Sequence, residues 1–332
     1  MTTKHAKNSD VSGLLPEISL LFVALVWGVN IPVMKIAMAT GINAFVFNGV
    51  RLVISAVVLC IFAVRSAPAG EWCRLQSVQG KVLCYAALVS ILYQLLFLFA
   101  VVLTTSADTA LIMATIPLWT AIGARLFLRE LINSRAWLGL ALAFCGTILV
   151  TVGGSAPQEL SSDASLSEPV AAEDVDGSAV TSNAAVNLRL RGNVCALAAA
   201  IAWAAGTILS RPVLRTIRPL TLSSCSAAIG LPLHLVIALL VSSGQSSLVF
   251  DPAVFGAVLY SGLLSSGLTL PMWNFGVHHA GAAQAGLFQN LAPLTAIVVG
   301  WLLLSEPLTI YQAGGGALIP GGLLIARRST RC

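Results

Sequence analysis

Residues 117–130 read PLWTAIGARLFLRE, and residues 293–306 read PLTAIVVGWLLLSE. Both copies open on Pro-Leu and close on glutamate, and they begin 176 residues apart. The same offset aligns further residues whose coincidence is uncommon even in an apolar chain: Trp27 with Trp203, Phe99 with Phe275, Ala107 with Ala283, Gly139 with Gly315, and Gly146 with Gly322. The chain is therefore predicted to consist of two copies of one unit.

The composition makes lipid the solvent for these two copies. Of the 332 residues, 57% are hydrophobic and 9% are charged, and the mean hydropathy is +0.90. A soluble domain carries about 25% charged residues, so this chain has too little polar surface to cover a water-soluble globule. We expect an all-α integral membrane protein, because a helix of about 20 residues satisfies its own backbone polar groups as it crosses the hydrocarbon.

Ten stretches are long and apolar enough to form such helices. They are 18–39, 43–64, 81–103, 107–128, 135–153, 191–210, 219–242, 253–275, 280–303 and 309–327. Each copy then holds five helices, and because five is odd, the second copy enters the membrane from the opposite side. The sequence predicts ten transmembrane helices as two inverted five-helix repeats, an arrangement that builds transporters with the substrate between the halves.

Basic residues set the orientation of the chain in the membrane. With the N-terminus in the cytoplasm, all of the 18 Lys and Arg residues fall at cytoplasmic positions except Lys35, Arg51, Arg189 and Arg191. Such an excess is typical of cytoplasmic loops. We expect a multi-pass protein of the cell (inner or plasma) membrane with both termini cytoplasmic. The net charge of +5 then reflects topology, and no nucleic-acid partner is expected.

Five regions follow along the chain from this topology. They are an N-terminal tail 1–17, a first repeat 18–153, a linker 154–190, a second repeat 191–327 and a C-terminal tail 328–332. The linker holds six acidic residues among Ser, Ala and Pro before its first base, Arg189. This composition is typical of disorder, so we expect an extracytoplasmic tether. An acidic segment that attracts cations is the alternative.

The motifs resemble those of a known family. The stretches are ALVWGVN (24–30), RLVISAVVL (51–59), TSADTALIMATIPLWTAIGARLFLRE (105–130) and AGAAQAGLFQNLAPLTAIVVGWLLLSEPLT (280–309). They are similar to the EamA repeat of the drug/metabolite transporter superfamily, over nearly the whole chain except the first 17 residues and the linker. The resemblance implies ten helices, a central cavity and movement of small metabolites, often export of amino acids. It leaves the substrate open.

One cluster of polar residues in the second predicted helix points to an anion. Asn48, Arg51 and Ser55 follow each other at helical spacing and share one face. A polar group inside the membrane is costly and marks a pathway, so a carboxylate of the substrate is the predicted partner of Arg51. A structural pair with a neighbouring helix is the alternative, and Asp108 is the nearest candidate carboxylate.

The remaining predicted substrate-binding residues are aromatic, amide or hydroxyl side chains within helices: Trp27, Asn30, Tyr93, Gln94, Trp203, Thr207, Trp273, Asn274, Gln289 and Asn290. An aromatic ring beside an amide suits an amphipathic ligand, although Trp also anchors helices at the membrane interface. Pro117, Pro271 and Pro293 each remove a helix hydrogen bond and are predicted hinges.

Several other residues are expected to be structural. Lys35 and Arg211 are predicted to extend to lipid headgroups, and Glu130 and Glu306 to hold loops by hydrogen bonds. Glycines such as Gly139 and Gly146 serve either close helix packing or contact in a homodimer. The seven cysteines are expected to be small apolar residues.

The function expected from these patterns is secondary transport of a small amino-acid-like or amphipathic solute, with the lipid bilayer as the surrounding partner. The four histidines have no carboxylate cluster, metal spacing or Gly-rich phosphate loop around them. We therefore expect no enzyme, no cofactor and no metal. A membrane-embedded enzyme or a non-transporting scaffold is the alternative. No acidic residue lies in the middle of a predicted helix, which favours facilitated diffusion or exchange over proton antiport.

Overall fold

The structure is a computed structural model that describes residues 3–104, 106–155, 178–242, 251–304 and 310–327. The helices are α1 Thr3–Met38, α2 Ala44–Ser66, α3 Glu71–Ser77, α4 Gln79–Ala86, α5 Tyr93–Leu103, α6 Ser106–Met113, α7 Ile116–Phe127, α8 Ser134–Ser155, α9 Ser178–Val213, α10 Pro219–Val241, α11 Pro252–Leu259, α12 Thr269–Ala280, α13 Ala282–Gln289, α14 Leu291–Leu304 and α15 Ile310–Arg327. Two π-helical segments, Ala87–Leu92 and Tyr260–Leu268, join α4 to α5 and α11 to α12. The described chain is therefore helical, as predicted.

All ten predicted apolar stretches coincide with helices. In the described residues, eight spans are long and apolar enough to cross a membrane: Leu14–Met38, Ala44–Ser66, Gln79–Leu103, Asp108–Phe127, Asn187–Val213, Pro219–Val241, Pro252–Ala280 and Ala282–Leu302. The other two, Ser134–Leu149 and Ile310–Ala326, are shorter apolar helices. The chain is therefore a multi-pass membrane protein, and its described residues hold eight such spans and two shorter apolar helices.

The boundary of the predicted linker differs from the structure. Residues 178–190 were expected to be disordered, but they form the first turns of α9. A helix already started in the membrane extends at little cost, and Arg189 Nε lies 2.6 Å from the Asp108 carboxylate, which holds this extension against α6. Residues 156–177 of the linker, and Glu306, lie outside the described residues.

Local signals explain where several helices begin. Asn43 Oδ1 accepts a hydrogen bond from Phe45 N at 2.9 Å and caps α2, and Asp251 Oδ1 accepts one from Ala253 N at 2.9 Å before α11. Each cap satisfies a backbone N–H that the first helical turn leaves without a partner. Between α12 and α13 the chain turns at Gly281, whose φ of 102° favours glycine.

Equivalent helices of the two copies pack against each other in antiparallel fashion. In α8 and α15, Gly139 lies against Gly322, and Gly146 against Gly315. A Cβ on Gly146 would lie 2.7 Å from the Gly315 carbonyl oxygen, so the backbones meet closely because these residues are small. At the 176-residue offset Gly139 is equivalent to Gly315, and Gly146 is equivalent to Gly322. The two contacts are therefore related to each other by exchange of the copies, which is the geometry that two inverted copies produce.

The same relation places the centre of the bundle between α1 and α9. Trp27 and Trp203, which the 176-residue offset makes equivalent, lie with ring centroids 5.4 Å apart. The equivalent helices α2 and α10 also run antiparallel, with Gly49 against Ala238 and Cys60 near Ser224. An approximate two-fold axis therefore passes between the two tryptophans.

Glu130 and Asp108 mark opposite ends of the bundle. The end called the Glu130 face carries the loops 67–70, 128–133 and 214–218 together with Gly281. The end called the Asp108 face carries the loop 39–43 and Thr104. The predicted orientation makes the Glu130 face cytoplasmic.

Candidate functional site

The candidate site is a cavity at the centre of the bundle with a volume of about 240 Å³. Seven of the predicted binding residues line it: Trp27, Asn30, Arg51, Tyr93, Gln94, Trp203 and Gln289. A larger cavity of about 540 Å³ lies between α8, α13 and α15, but its walls are mostly aliphatic, and two of them, Leu131 and Leu324, are exposed. We take the smaller cavity as the site because aromatic and polar groups converge there.

Arg51 is held at the cavity wall by two amide side chains. Its Nε donates to Asn48 Oδ1 at 2.9 Å, and its Nη2 donates to Gln94 Oε1 at 3.2 Å. In the part of the chain that the structure describes, no carboxylate pairs with this guanidinium. Asp108, the nearest candidate by sequence, binds Arg189 instead. The charge of Arg51 therefore faces the cavity with neutral hydrogen-bond partners.

Three indole rings form a tryptophan cluster, defined as Trp27, Trp203 and Trp273, whose ring centroids lie 5.4 to 5.8 Å apart. Tyr93 lies 4.8 Å from Trp203 and extends the aromatic wall. Trp27 Nε1 donates to Thr269 Oγ1 at 2.9 Å. Among the described residues, the buried Trp203 Nε1 has no hydrogen-bond partner, and neither has Gln289 Oε1. The cavity wall therefore combines an apolar aromatic surface with polar side chains.

The two π-helical segments shape the wall at equivalent positions. Residues 87–92 of the first copy correspond to residues 263–268 of the second at the 176-residue offset. A π-helical turn is wider than an α-helical turn, and such turns occur at functional sites. In the first segment Ser90 O lies 2.8 Å from His234 Nε2, and in the second Ser265 O accepts from Trp27 Nε1 at 3.1 Å. These carbonyls are thereby available to side chains from other helices.

His234 is a buried residue next to the site and is not among the residues that the sequence predicts to bind substrate. It is 2% exposed, and its Nδ1 lies 3.3 Å from Asn48 Nδ2. These contacts join His234 to Arg51 through one amide. Its sequence signal is weak, because a single histidine in an apolar helix is more often a satisfied core residue.

Five predicted binding residues lie behind the wall instead of lining the cavity: Asn48, Thr207, Trp273, Asn274 and Asn290. All five are buried. Asn274 Nδ2 donates to Ser223 Oγ at 2.9 Å and to Tyr85 Oη at 3.1 Å, so this amide joins α12 to α10 and α4. Trp273 packs against the two tryptophans that do line the cavity. In this conformation these residues hold the wall in place.

The predicted hinge prolines coincide with interruptions of the helices. Pro117 stands in the first turn of α7, directly after the break that separates it from α6, and Pro293 stands in the first turn of α14, directly after the break at Asn290. A proline fits the first turn because its missing N–H has no partner there. Pro271 follows the second π-helical segment. The interruptions are present in the structure, and the hinge role stays a prediction.

A polar network closes the Glu130 face beneath the tryptophan cluster. The Glu130 carboxylate accepts from Ala282 N at 3.1 Å and from Ala283 N at 3.2 Å, so the predicted loop-holding role is confirmed. Arg211 Nε lies 3.3 Å from the same carboxylate. Arg211 Nη1 donates to the carbonyls of Val277 and His278 at 2.8 and 2.9 Å. The predicted headgroup contact of Arg211 is therefore wrong, because a carboxylate and two helix-end carbonyls satisfy the guanidinium inside the protein.

A second network on the Glu130 face is centred on Glu71, which begins the short helix α3 outside the apolar spans. Glu71 is 1% exposed. Its carboxylate accepts from Arg74 Nη2 at 2.8 Å, Thr221 Oγ1 at 2.8 Å and Arg218 N at 3.0 Å. Burial by itself raises the pKa of this carboxyl, but the hydrogen bonds from Arg218, Arg74 and Thr221 together outweigh it and lower the pKa to about 2. Glu71 therefore ties the connection after α2 to the start of α10.

These features define a multi-pass helical membrane protein whose two repeats enclose a polar and aromatic cavity. The fold matches that of a solved crystal structure with a TM-score of 0.72, at 15% identity, over 95% of this chain and 97% of that one. This likeness shows a shared fold.

The family model of the EamA-like transporter family matches residues 14–152 and 190–328, so the chain belongs to that family. Among its relatives, the uncharacterized transporter YyaM of Bacillus subtilis (strain 168) is 27% identical over 70% of this chain and 68% of that protein. The uncharacterized transporter YetK of the same organism is 25% identical over 93% of this chain and 85% of that protein. The protein is accordingly a membrane transporter.

Proposed function

We propose that this protein is a secondary transporter of the cell membrane that moves a small solute bearing a carboxylate and an apolar body, such as an amino acid, outward through the central cavity. The two repeats alternate access around the tryptophan cluster. Both termini are cytoplasmic in this proposal. The main observation in its support is that the Arg51 guanidinium has only neutral hydrogen-bond partners among the described residues.

The environment of Arg51 matches the two parts of such a solute. A guanidinium binds a carboxylate through two parallel hydrogen bonds, and the anion offsets the cost of a charge within the membrane. The apolar part of the solute then rests against Trp27, Trp203 and Tyr93, which line the same cavity. Within the described part of the chain, Trp203 Nε1 and Gln289 Oε1 are buried without a hydrogen-bond partner on two residues that line the cavity. Each chemical feature of the wall thus has a counterpart in an amino-acid-like molecule.

The closure of the bundle supports alternating access. Lining residues run along α1 from Trp27 to Met34 and along α5 from Tyr93 to Phe97, in both cases toward the Asp108 face. On the other side the tryptophan cluster and the network of Glu130 and Arg211 close the bundle. In the predicted orientation these lining residues extend toward the outside of the cell. Opening the opposite face requires breaking the Glu130 network.

A transport assay on Arg51→Lys tests the proposal. Purified protein in liposomes is screened for counterflow of radiolabelled amino acids and of aromatic and aliphatic carboxylates. Lysine keeps the charge but loses the paired donors. A charged hydrogen bond contributes about 1.5–3 kcal/mol, and each 1.4 kcal/mol is tenfold, so the apparent affinity falls by about 10- to 100-fold.

Arg135→Lys is the matched control, because Arg135 is exposed and lies far from the cavity along α8. We expect normal kinetics in that variant. Unchanged kinetics in Arg51→Lys, with a solute that the wild type carries, refute the carboxylate contact. Absence of flux for the whole panel contradicts the proposed substrate class.

A further inference from the structure

A chain of hydrogen bonds connects the cavity wall to a buried imidazole. Arg51 Nε donates to Asn48 Oδ1 at 2.9 Å, Asn48 Nδ2 lies 3.3 Å from His234 Nδ1, and His234 Nε2 lies 2.8 Å from Ser90 O. The chain passes from α2 to α10 and ends on the first π-helical segment. It begins at Arg51, which lines the cavity, and passes behind the wall through Asn48 and His234.

The Arg51 guanidinium and the Ser90 carbonyl, at the two ends of this series of hydrogen bonds, determine which atom donates and which accepts in each bond. A guanidinium only donates, so Asn48 turns its oxygen toward Arg51 and its nitrogen toward His234. The amide nitrogen only donates, so His234 Nδ1 accepts. The Ser90 carbonyl only accepts, so His234 Nε2 carries the hydrogen. The imidazole is therefore neutral, with a single lone pair at Nδ1 that points at Asn48.

A proton added at Nδ1 is incompatible with this arrangement. The new N–H faces the Asn48 Nδ2 donor, and the clash is relieved when the amide rotates to present Oδ1 to the imidazolium. Asn48 Nδ2 then faces Arg51 Nε, which is also a donor, so the hydrogen bond between Asn48 and Arg51 is lost. Protonation of His234 thus frees the guanidinium from one of its two neutral partners.

The charges around His234 come from few elements. Arg51 on α2 is the charged group that acts on the imidazole, and the first π-helical segment presents Ser90, which does not titrate. Tyr93, directly after that segment, interacts with Arg51. The phenol of Tyr85 on α4 lies near the opposite end of α10, at Ser223, through Asn274 of α12. Arg51 therefore dominates the local field in the described structure.

We propose that His234 is a proton-binding site and that Asn48 links its protonation to the hydrogen bonding of Arg51. The inference rests on the proposed function, because it takes Arg51 as the anion contact. A carboxylate at Arg51 offsets the repulsion between two cations, so anion and proton favour each other's binding by the same factor. A monocarboxylate without an ammonium group and one proton move no net charge, whereas a zwitterionic amino acid and one proton move one positive charge. In both cases a high internal solute concentration drives solute and proton outward.

The test observes the imidazole and the guanidinium directly and needs no solute. In full-length protein in nanodiscs, the variant His5→Gln/His278→Gln/His279→Gln leaves His234 as the sole histidine of the four in the sequence. Histidine and arginine are isotopically labelled and followed by NMR from pH 5 to pH 8, about the range in which histidines titrate. The Arg51 Nε–H signal is the one lost in Arg51→Lys.

We expect the His234 imidazole to titrate in this range and the Arg51 Nε–H signal to shift with the same midpoint. Adding His234→Gln to this background abolishes the shift at Arg51, whereas the background itself, which carries His279→Gln at an exposed residue, preserves it. An imidazole that stays neutral across the range overturns the proposal, and so does a titration that Arg51 does not follow. Failure of the transport screen alone would instead contradict the proposed function, so the two outcomes are distinct.

Discussion

Replacing Glu71 with glutamine tests the network that joins α3 to α10. The buried carboxylate accepts hydrogen bonds from Arg74, Arg218 and Thr221. Glutamine keeps the size of the side chain, removes its charge and turns one acceptor oxygen into a donor nitrogen that faces other donors. We expect Glu71→Gln to destabilise the protein at neutral pH.

The shifted pKa gives the magnitude of this effect. The pKa of Glu71 is lowered from 4.5 to about 2, and each unit corresponds to about 1.36 kcal/mol, so the ionised carboxylate contributes about 3 kcal/mol. Because the folded-state pKa is depressed, this contribution is complete above the unfolded value and is lost as the pH falls toward the folded value. At pH 3 about 40% of it remains.

Thermal unfolding of purified protein, followed by loss of the monodisperse peak, measures the difference between wild type and Glu71→Gln. We expect a midpoint lower by about 6 °C at pH 7, at about 2 °C per kcal/mol for a large domain, and a much smaller difference at pH 3. Thr221→Val removes a single hydrogen bond of 2.8 Å and is expected to cost about 1 kcal/mol. Equal midpoints for Glu71→Gln and wild type at pH 7, or a difference that does not change with pH, would refute the reasoning.

The packing and the topology lead to three further predictions. Gly139→Leu places a Cβ against the Gly322 carbonyl, so it should separate α8 from α15 and lower the thermal midpoint. Gly314→Leu, with open space at its Cβ, should leave the midpoint unchanged. Equal midpoints for the two variants would contradict close packing of the two helices. Glu130→Gln should speed hydrogen exchange of the amides at the start of α13, because they lose a charged acceptor, and unchanged exchange would show that the carboxylate does not hold this face closed. Single cysteines at 170 and 215 in a cysteine-free background should react from opposite sides of the membrane, and labelling from one side would exclude the inverted topology.

The helices and the repeat could be predicted because both depend on properties that a sequence displays directly. Apolar length determines which stretches become helices in lipid. A constant offset between Trp27 and Trp203 identified two equivalent residues, and the structure places them in contact. Arg51 and the amide residues stand out in the sequence because charged and amide groups are rare in such helices, and seven of the twelve predicted binding residues line the cavity.

The features that escaped prediction depend on contacts between distant helices. His234 meets Asn48 across 186 residues, and Glu130 meets the start of α13 across 152 residues, so neither pairing has a local signature. The π-helical segments are equally hidden. Pro271 follows the second segment and removes a donor there, but the equivalent position of the first copy is Leu95. Residues 178–190 continue α9 as a helix, and the ion pair between Arg189 and Asp108 at its end is a contact between distant residues that composition does not reveal.

The paired π-helical segments also bear on how the cavity wall is assembled. The offset of 176 residues holds before the segments, at Trp27 and Trp203, and after them, at Gly146 and Gly322. The two copies therefore have the same number of residues between these points. Each copy therefore carries its wide turn at the same position of the five-helix unit and supplies part of the cavity wall. A single five-helix unit would need a second unit inserted in the opposite direction to complete that wall.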